Sequence, residues 1–368
     1  MRILVSGAGM AGLSAGISLG ATGHDVTIIE RAHHLRTNGS PIDIRGPSLE
    51  VAGAMGILDQ IKQHRVSLTE LVGFIDGTGA VIAKLPLGVG VVNDSVDDIE
   101  IPREDLANIL RNAMPPSTTL IFEESIKELV DNGDGVDVTF VSGREDRFDI
   151  VVGADGLHSL TRRLVFGPEG DYLKHLGLYI ALTTLPTASI GERGILNWPG
   201  HMIGIVSYRT TTLGVMNFRS PWIDYDYRDL EAQKRILLNE YAGHGEWRVP
   251  EILDSARDDP ELYFDSISQI HMPTWHSGRT VLVGDAAHCA SPLSGRGTAA
   301  AILGAWELAR ALERYPDDLT AAFQDYETKH RPYVTHAQSS AGLGGDLLIP
   351  ATRADLDARN RRLREVAS

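Results

Sequence analysis

Three clusters of glycine and acid have the residue types and spacing to do chemistry. The first is Gly7-Ala8-Gly9-Met10-Ala11-Gly12, a G-x-G-x-x-G run, with Glu30 about 20 residues further on. The second is Gly153-Ala154-Asp155-Gly156, followed by Ser159 and Arg162. The third is Gly284-Asp285-Ala286-Ala287-His288, then Pro292 and Gly295-Arg296-Gly297-Thr298. In the first, Gly7 permits a tight turn, Gly9 lets backbone approach a pyrophosphate, and Gly12 lets a helix pack on a strand. The helix start offers free N–H groups and partial positive charge to phosphate oxygens. Glu30 can accept hydrogen bonds from the hydroxyls of an adenosine ribose. The stretch reads as a dinucleotide site and does not by itself choose NAD or FAD. No Ser-His-Asp set and no metal set is found. His33 and His34 lack partners at ligand spacing, His288 lies inside the third cluster, and Cys289 reads as a packing residue.

The elements that must position these clusters follow from pattern. Ile3-Leu4-Val5 is a strand run, Leu13 to Leu19 a small-residue helix, and His24 to Ile29 a second strand. Arg31 to Pro41 is a polar loop in which Arg36 is placed to reach a pyrophosphate, and Gly39 to Asp43 is bend-prone. Pro47 opens a helix, and Asp76-Gly77 marks a hairpin. Ile99 to Ile101 leads to a helix that begins at Arg103, an end where the helix dipole disfavours a cation, which hints at an anionic partner. Thr118 to Ile150 is strand-rich. Residues from about 168 to 271 read as a mostly antiparallel sheet, helical only over Asp229 to Ala242. Arg279 to Val283 is a buried strand feeding the third cluster and its helix. Tyr326 to Ala341 and Asp355 to Val366 read as helices, the latter with its charges solvated.

Bulk composition narrows the function classes. The 368 residues are 43% hydrophobic and 23% charged, ordinary globular proportions for two domains. A formal charge of −15 argues against nucleic acid and anionic membranes as partners. One cysteine excludes an intramolecular disulfide and a thiolate metal cluster, and fits a reducing cytoplasm. No apolar run is long enough to span a bilayer, and the N-terminus lacks a cleavable leader pattern.

GAGMAG…E, GADGLHSLTR and GDAAHCASPLSGRGT, in that order, resemble the FAD-dependent aromatic hydroxylases, the para-hydroxybenzoate hydroxylase group of group A flavoprotein monooxygenases. GSPIDIRG and IPREDLANIL are similar to the short, tetracycline-inactivating forms. The resemblance covers Met1 to about Phe166 and Arg279 to Leu312. It departs at Gly304, where many relatives carry an acid, and at Thr298, where an asparagine is common.

The resemblance implies an α/β fold: a Rossmann-like FAD-binding domain of the glutathione-reductase type, an inserted, mostly antiparallel substrate sheet and a C-terminal helix. The expected boundaries are 1–75, 98–167 and 272–345 for the FAD domain, 76–97 and 168–271 for the sheet, and 346–368 for the last helix. Expected FAD contacts are Gly7, Gly9, Ala11, Gly12, Glu30, Arg31, Arg36, Ile42, Asp43, Arg103, Asp155, Gly156, Asp285, Pro292, Gly295, Gly297 and Thr298. Arg45 is a candidate guide for NADPH or a mobile flavin. No side chain is expected to be catalytic and no metal is expected. FAD would carry the reaction: NADPH or NADH reduces it, O₂ adds to give a flavin hydroperoxide, and one oxygen passes to a small aromatic or polycyclic substrate. Trp198, His201, Met202, Tyr208, Met216 and Phe218, with Pro292 beneath, are the expected substrate region. The implied setting is a cytoplasmic monomer or homodimer in natural-product or antibiotic metabolism. A flavin-binding sequestering protein and a flavin-linked double-bond reductase are the alternative readings.

Overall fold

The computed structural model describes residues 1–35, 39–66, 73–84, 98–186 and 193–366. Chain order begins β1 (Arg2–Ser6), α1 (Met10–Ala21), β2 (Asp25–Glu30), β3 (Ile42–Ile44), α2 (Pro47–Ala54), α3 (Leu58–Gln63), β4 (Gly73–Ile75), β5 (Val81–Lys84), β6 (Ile99–Ile101), α4 (Arg103–Asn112) and β7 (Thr118–Phe122). It continues β8 (Ile126–Asp131), β9 (Val136–Phe140), β10 (Glu145–Phe148), β11 (Ile150–Gly153) and α5 (Leu160–Phe166). Next come β12 (Leu173–Thr184), β13 (Gly194–Trp198), β14 (His201–Tyr208), β15 (Thr211–Arg219), α6 (Leu230–Glu240), α7 (Val249–Asp258) and β16 (Tyr263–Ile270). The chain closes with β17 (His276–Ser277), β18 (Thr280–Leu282), α8 (Asp285–His288), α9 (Gly297–Arg314), α10 (Leu319–Leu348) and α11 (Arg353–Val366).

The first sheet has the order β17-β18-β11-β1-β2-β7, with β18 through β7 parallel. The chain leaves β1 towards β2 on one side and later returns to β11 on the other. The carboxyl end of β1 is therefore a topological switch point, where such sheets open a crevice for ligands. Ile3, Leu4 and Val5 are wholly buried, as a strand covered on both faces requires. β8, β9 and β10 form a separate antiparallel sheet.

The inserted sheet runs β16-β12-β15-β14-β13-β4-β5 and is antiparallel except where β4 pairs parallel to β13. β4 thus belongs to this sheet, so the second unit starts at Gly73 rather than at residue 76; its Asp76 turn joins two strands of one hairpin. Residues 85–97 of the expected unit lie outside the described residues. One face of the sheet packs Tyr179, Ile203, Ile205, Met216 and Phe218 on α6 and α7. The other face packs Leu178, Ile180, Met202 and Val215 with Leu293, Ile349 and Leu363.

α10 outruns the expected 326–341 segment, and Pro332 sits inside it. Its last carbonyls lack intrahelical donors and are met from the sheet and from α11. Arg219 Nε donates to Ile349 O at 2.7 Å, Asn197 Nδ2 to Leu348 O at 2.9 Å, and Arg359 Nη1 to Leu347 O at 3.0 Å. Arg359 is buried and lies 3.7 Å over the Phe74 ring. It corrects the expectation of a fully solvated last helix, because a helix C-terminus attracts a cation.

Candidate active site

The three sequence clusters meet at the carboxyl end of β1. Gly7 has φ +103°, and a Cβ there would lie 2.6 Å from Ala154 O, so the first cluster abuts the second. A Cβ at Gly12 would collide with the carbonyl of Gly7. A Cβ at Gly284 would lie 2.6 Å from the Ala11 Cβ, so the third cluster abuts the first. Close backbone approach, which only glycine allows, is what assembles the crevice.

Around this junction the chain leaves room. A Cβ at Gly9, Gly156 or Gly297 would meet nothing within 4 Å. Gly9 is the N-cap of α1 with no side-chain cap, so the first amides of α1 remain available to an anion. Glu30 Oε2 accepts from Ala8 N and Oε1 from Ala32 N, each at 2.9 Å, which fixes the carboxylate beside the turn with lone pairs to spare. Arg31 is exposed next to it. Asp285 is open to solvent yet ringed by protein, which raises its carboxyl above the ordinary value, opposed by Cys289 and Arg103. Arg103 Nε lies 3.1 Å from where a Gly39 Cβ would stand, so Arg103, Gly39 and Asp285 share one neighbourhood. Pro292 is exposed, and Gly295 and Thr298 are partly so, at the mouth of α9. An open cradle, an anion-ready helix start, a fixed ribose acceptor and a second acid in a recess suit an extended dinucleotide. Arg36 lies outside the described residues.

Just before Arg103 the chain forms a separate two-stranded ribbon, β3–β6, which pairs Ile42 with Ile101, Asp43 with Glu100 and Ile44 with Ile99. Ile42 is a core residue, and its side chain turns away from the face that carries Asp43. Asp43 Oδ2 accepts from Arg45 Nη2 at 2.8 Å, and the Arg45 guanidinium lies 3.3 Å from the Cβ position of Gly295.

Asp155 works as a cap. It accepts from Ser159 Oγ, from Thr161 N at 2.8 Å and from Thr161 Oγ1 at 2.9 Å, at the start of α5. Two residues beyond Gly156, His158 joins the two units. Its Nδ1 is 2.9 Å from Glu169 Oε1, its Nε2 is 3.1 Å from Asp265 Oδ1, and its ring stacks on Tyr227 at 4.0 Å. Burial disfavours the imidazolium, but the two carboxylates prevail and raise its pKa to about 9. Sequence reading passed over His158, since its partners lie 11 and 107 residues away.

The expected substrate residues divide between the two faces of the sheet. Phe218 and Met216 are core on the α6–α7 face. Trp198 stacks on His244 at 4.0 Å, and His201 Nε2 is 2.9 Å from Glu240 Oε1, also on that face. These four turn away from Leu293. Met202 lies on the opposite face in the cluster that includes Leu293. The Tyr208 hydroxyl donates to Gly39 O at 3.1 Å, which brings it beside Arg103.

Gly304 is the position at which the resemblance led to the expectation of an acid. A Cβ there would lie 3.1 Å from His330 Nε2 and 3.5 Å from His288 Nε2. Burial lowers both imidazoles, His330 to about 4, so two neutral rings fill the space and call for no counter-ion. Cys289 is buried and its thiol is raised by burial, as suits packing. A groove of about 760 Å³ along α10, lined by Thr274, His276, Glu327 and Arg331 among others, shares no residue with the three clusters. Chemistry rather than volume therefore selects the crevice at β1.

The family described as FAD binding domain matches residues 1–176 and 264–338, the parts of the chain that build this crevice. The chain belongs to that family, and it is a FAD-dependent flavoprotein of the monooxygenase class. An uncharacterized protein of Mycobacterium tuberculosis is 40% identical over 351 residues, 91% of each chain. A flavin-dependent monooxygenase of Legionella longbeachae is 35% identical over 340 residues, covering 91% of this chain and 86% of the relative. The crystal structure of tetracycline destructase Tet(51) matches with a TM-score of 0.87 at 31% identity, over 99% of this chain and 96% of that one. Among the described residues no helix is long and apolar enough to cross a membrane.

Proposed function

We propose that this flavoprotein consumes NAD(P)H and O₂ and places one oxygen atom on an aromatic or polycyclic small molecule held between the inserted sheet and the Pro292 turn. The observation that carries the reading is the meeting of three distant glycine clusters at one switch point, with room left at Gly9, Gly156 and Gly297. Bound FAD supplies the redox and oxygen chemistry; the chain binds, orients and excludes water. Glu30 takes the adenosine ribose, the first amides of α1 the pyrophosphate, and Asp285 a ribityl hydroxyl. Arg103 and Asp43 flank the cofactor. The N-terminus of α9 at Gly295, Gly297 and Thr298 faces negative charge on the pyrimidine edge. The Asp155-Gly156 turn borders the pyrophosphate and the path of the transient reductant.

Substrate contacts narrow to the face that carries Ile180, Met202 and Val215, which clusters with Leu293, and to Tyr208. An apolar wall suits a flat ring system. The likeness to a tetracycline destructase motivates antibiotics and related polyketides as the substrate panel. The experiment is NAD(P)H consumption by the yellow holoenzyme across that panel, with ¹⁸O₂ and mass spectrometry. Substrate-accelerated consumption with one labelled oxygen in product supports the reading. Turnover that persists without O₂, or tight binding with no product, overturns it.

A further inference from the structure

The ribbon β3–β6 sets two carboxyls directly opposite each other. Asp43 pairs with Glu100 in register, so their side chains share one face, and cross-strand partners stand about 5 Å apart at Cβ. The register cannot slip to relieve them. Ile42, Ile44, Ile99 and Ile101 are all buried on the other face, and a one-residue shift would turn that set outward. Both acids are partly sheltered, and like charges in that position are unfavourable. Arg45 answers one of them, through its 2.8 Å bond to Asp43. Among the described residues Glu100 makes no such bond to an arginine.

We propose that Glu100 keeps its proton at neutral pH and acts as a positioning residue for Asp43, leaving Asp43 ionised on Arg45 beside the Gly295–Gly297 turn. Desolvation first, and then the Asp43 charge, push Glu100 up to about 8, against the pull of Arg45. Asp43 is raised to about 6 by burial, opposed by Arg45. Among the described residues, the charged groups facing the pair are Arg45 just after β3, Asp98 just before β6, and Arg296 at the N-cap of α9. With one proton on the pair, two carboxylates face two guanidiniums. Without it, a third negative charge lies next to the turn that would meet the electron-rich edge of reduced flavin. The shared proton thus sets the charge of that wall before electrons arrive, and does so through Asp43 rather than by touching the reacting atoms.

This inference rests on the flavin reading for its purpose but not for its first test. In the apoprotein, a carboxyl with a raised folded pKa makes stability fall as pH rises from the unfolded value to the folded one, by up to about tenfold in the unfolding constant per pH unit. Urea unfolding from pH 6 to 9 should show Glu100→Gln gaining on the wild type through that range and levelling above about pH 8. In the holoprotein, the visible band of bound FAD should carry a pH transition near 8 that Glu100→Gln lacks. Asp43→Asn should move that transition down by about one pH unit or more. Glu100→Gln, the neutral isostere, should keep FAD affinity at pH 7 within about threefold of wild type. An unchanged apoprotein profile in Glu100→Gln, or a tenfold loss of its FAD affinity at pH 7, overturns the inference. An apoprotein that titrates as stated yet takes up no FAD keeps the shared proton and sinks the cofactor assignment instead.

Discussion

Substituting Gly9 by alanine separates the fold from the cofactor. Gly9 has φ −75° and ψ −173°, a conformation alanine adopts freely, and its added Cβ meets nothing in the chain. Alanine is the poorer N-cap by about 0.5–1 kcal/mol, and the stiffer unfolded chain returns about 0.4–1 kcal/mol. The apoprotein should therefore unfold within about 1 kcal/mol of wild type. The open space at Gly9 is where a pyrophosphate would lie, and an intruding methyl costs about 1–3 kcal/mol. That is a loss of about 5- to 150-fold in FAD affinity. Gly7 is the contrast. Its φ of +103° costs alanine about 1–2 kcal/mol, and the 2.6 Å approach to Ala154 O adds about 1–3 kcal/mol of crowding. Gly7→Ala should lose stability with or without FAD. The assay is urea unfolding of both apoproteins beside FAD titration by flavin fluorescence. A Gly9→Ala protein that binds FAD like wild type, or that is as unstable as Gly7→Ala, would refute the reasoning.

Three further outcomes follow from the packing. His158 has a folded pKa raised to about 9, so its contribution is complete below the unfolded value of about 6.5 and fades as pH rises through 9. His158→Gln should lose about 1–3 kcal/mol at pH 6 and much less at pH 10, read by urea midpoints, and a pH-independent loss would contradict the ion-pair account. Phe218→Ala empties a fully buried site between the sheet and α6, so it should cost about 3–5 kcal/mol in apoprotein stability. A stable Phe218→Ala enzyme with a selectively raised substrate KM would put Phe218 in the pocket after all. Arg359→Met removes the donor to Leu347 O and to Asn197 Oδ1, and should cost about 1–3 kcal/mol, seen as early hydrogen exchange at the end of α10.

The meeting of the three glycine clusters was legible because each cluster is local. A G-x-G-x-x-G run between two strands, or an aspartate at a strand end, shows itself within a few residues. The inserted sheet was legible as a sheet and illegible by face. β14 reads HMIGIVSY, apolar at both parities, since helices cover one side and the Leu293 cluster the other. Period-two alternation then gives no inside or outside. The aromatics Trp198 and Phe218 went with the α6–α7 core, away from the Leu293 cluster. α7 was passed over although Val249, Ile252, Leu253 and Ala256 form a helical stripe, because its surroundings read as strand. Asp43 and Glu100 are 57 residues apart, and short strands such as β3 and β6 carry too little pattern to announce their pairing.

Calorimetric titration of the apoprotein with FAD, FMN and ADP tests the central claim most directly. One cradle that reaches from Glu30 to the start of α9 predicts a single FAD per chain, ADP competing for the same site more weakly, and FMN weaker still for want of the adenosine half. Uptake of FMN as tight as that of FAD, or ADP binding that leaves FAD binding untouched, would contradict it.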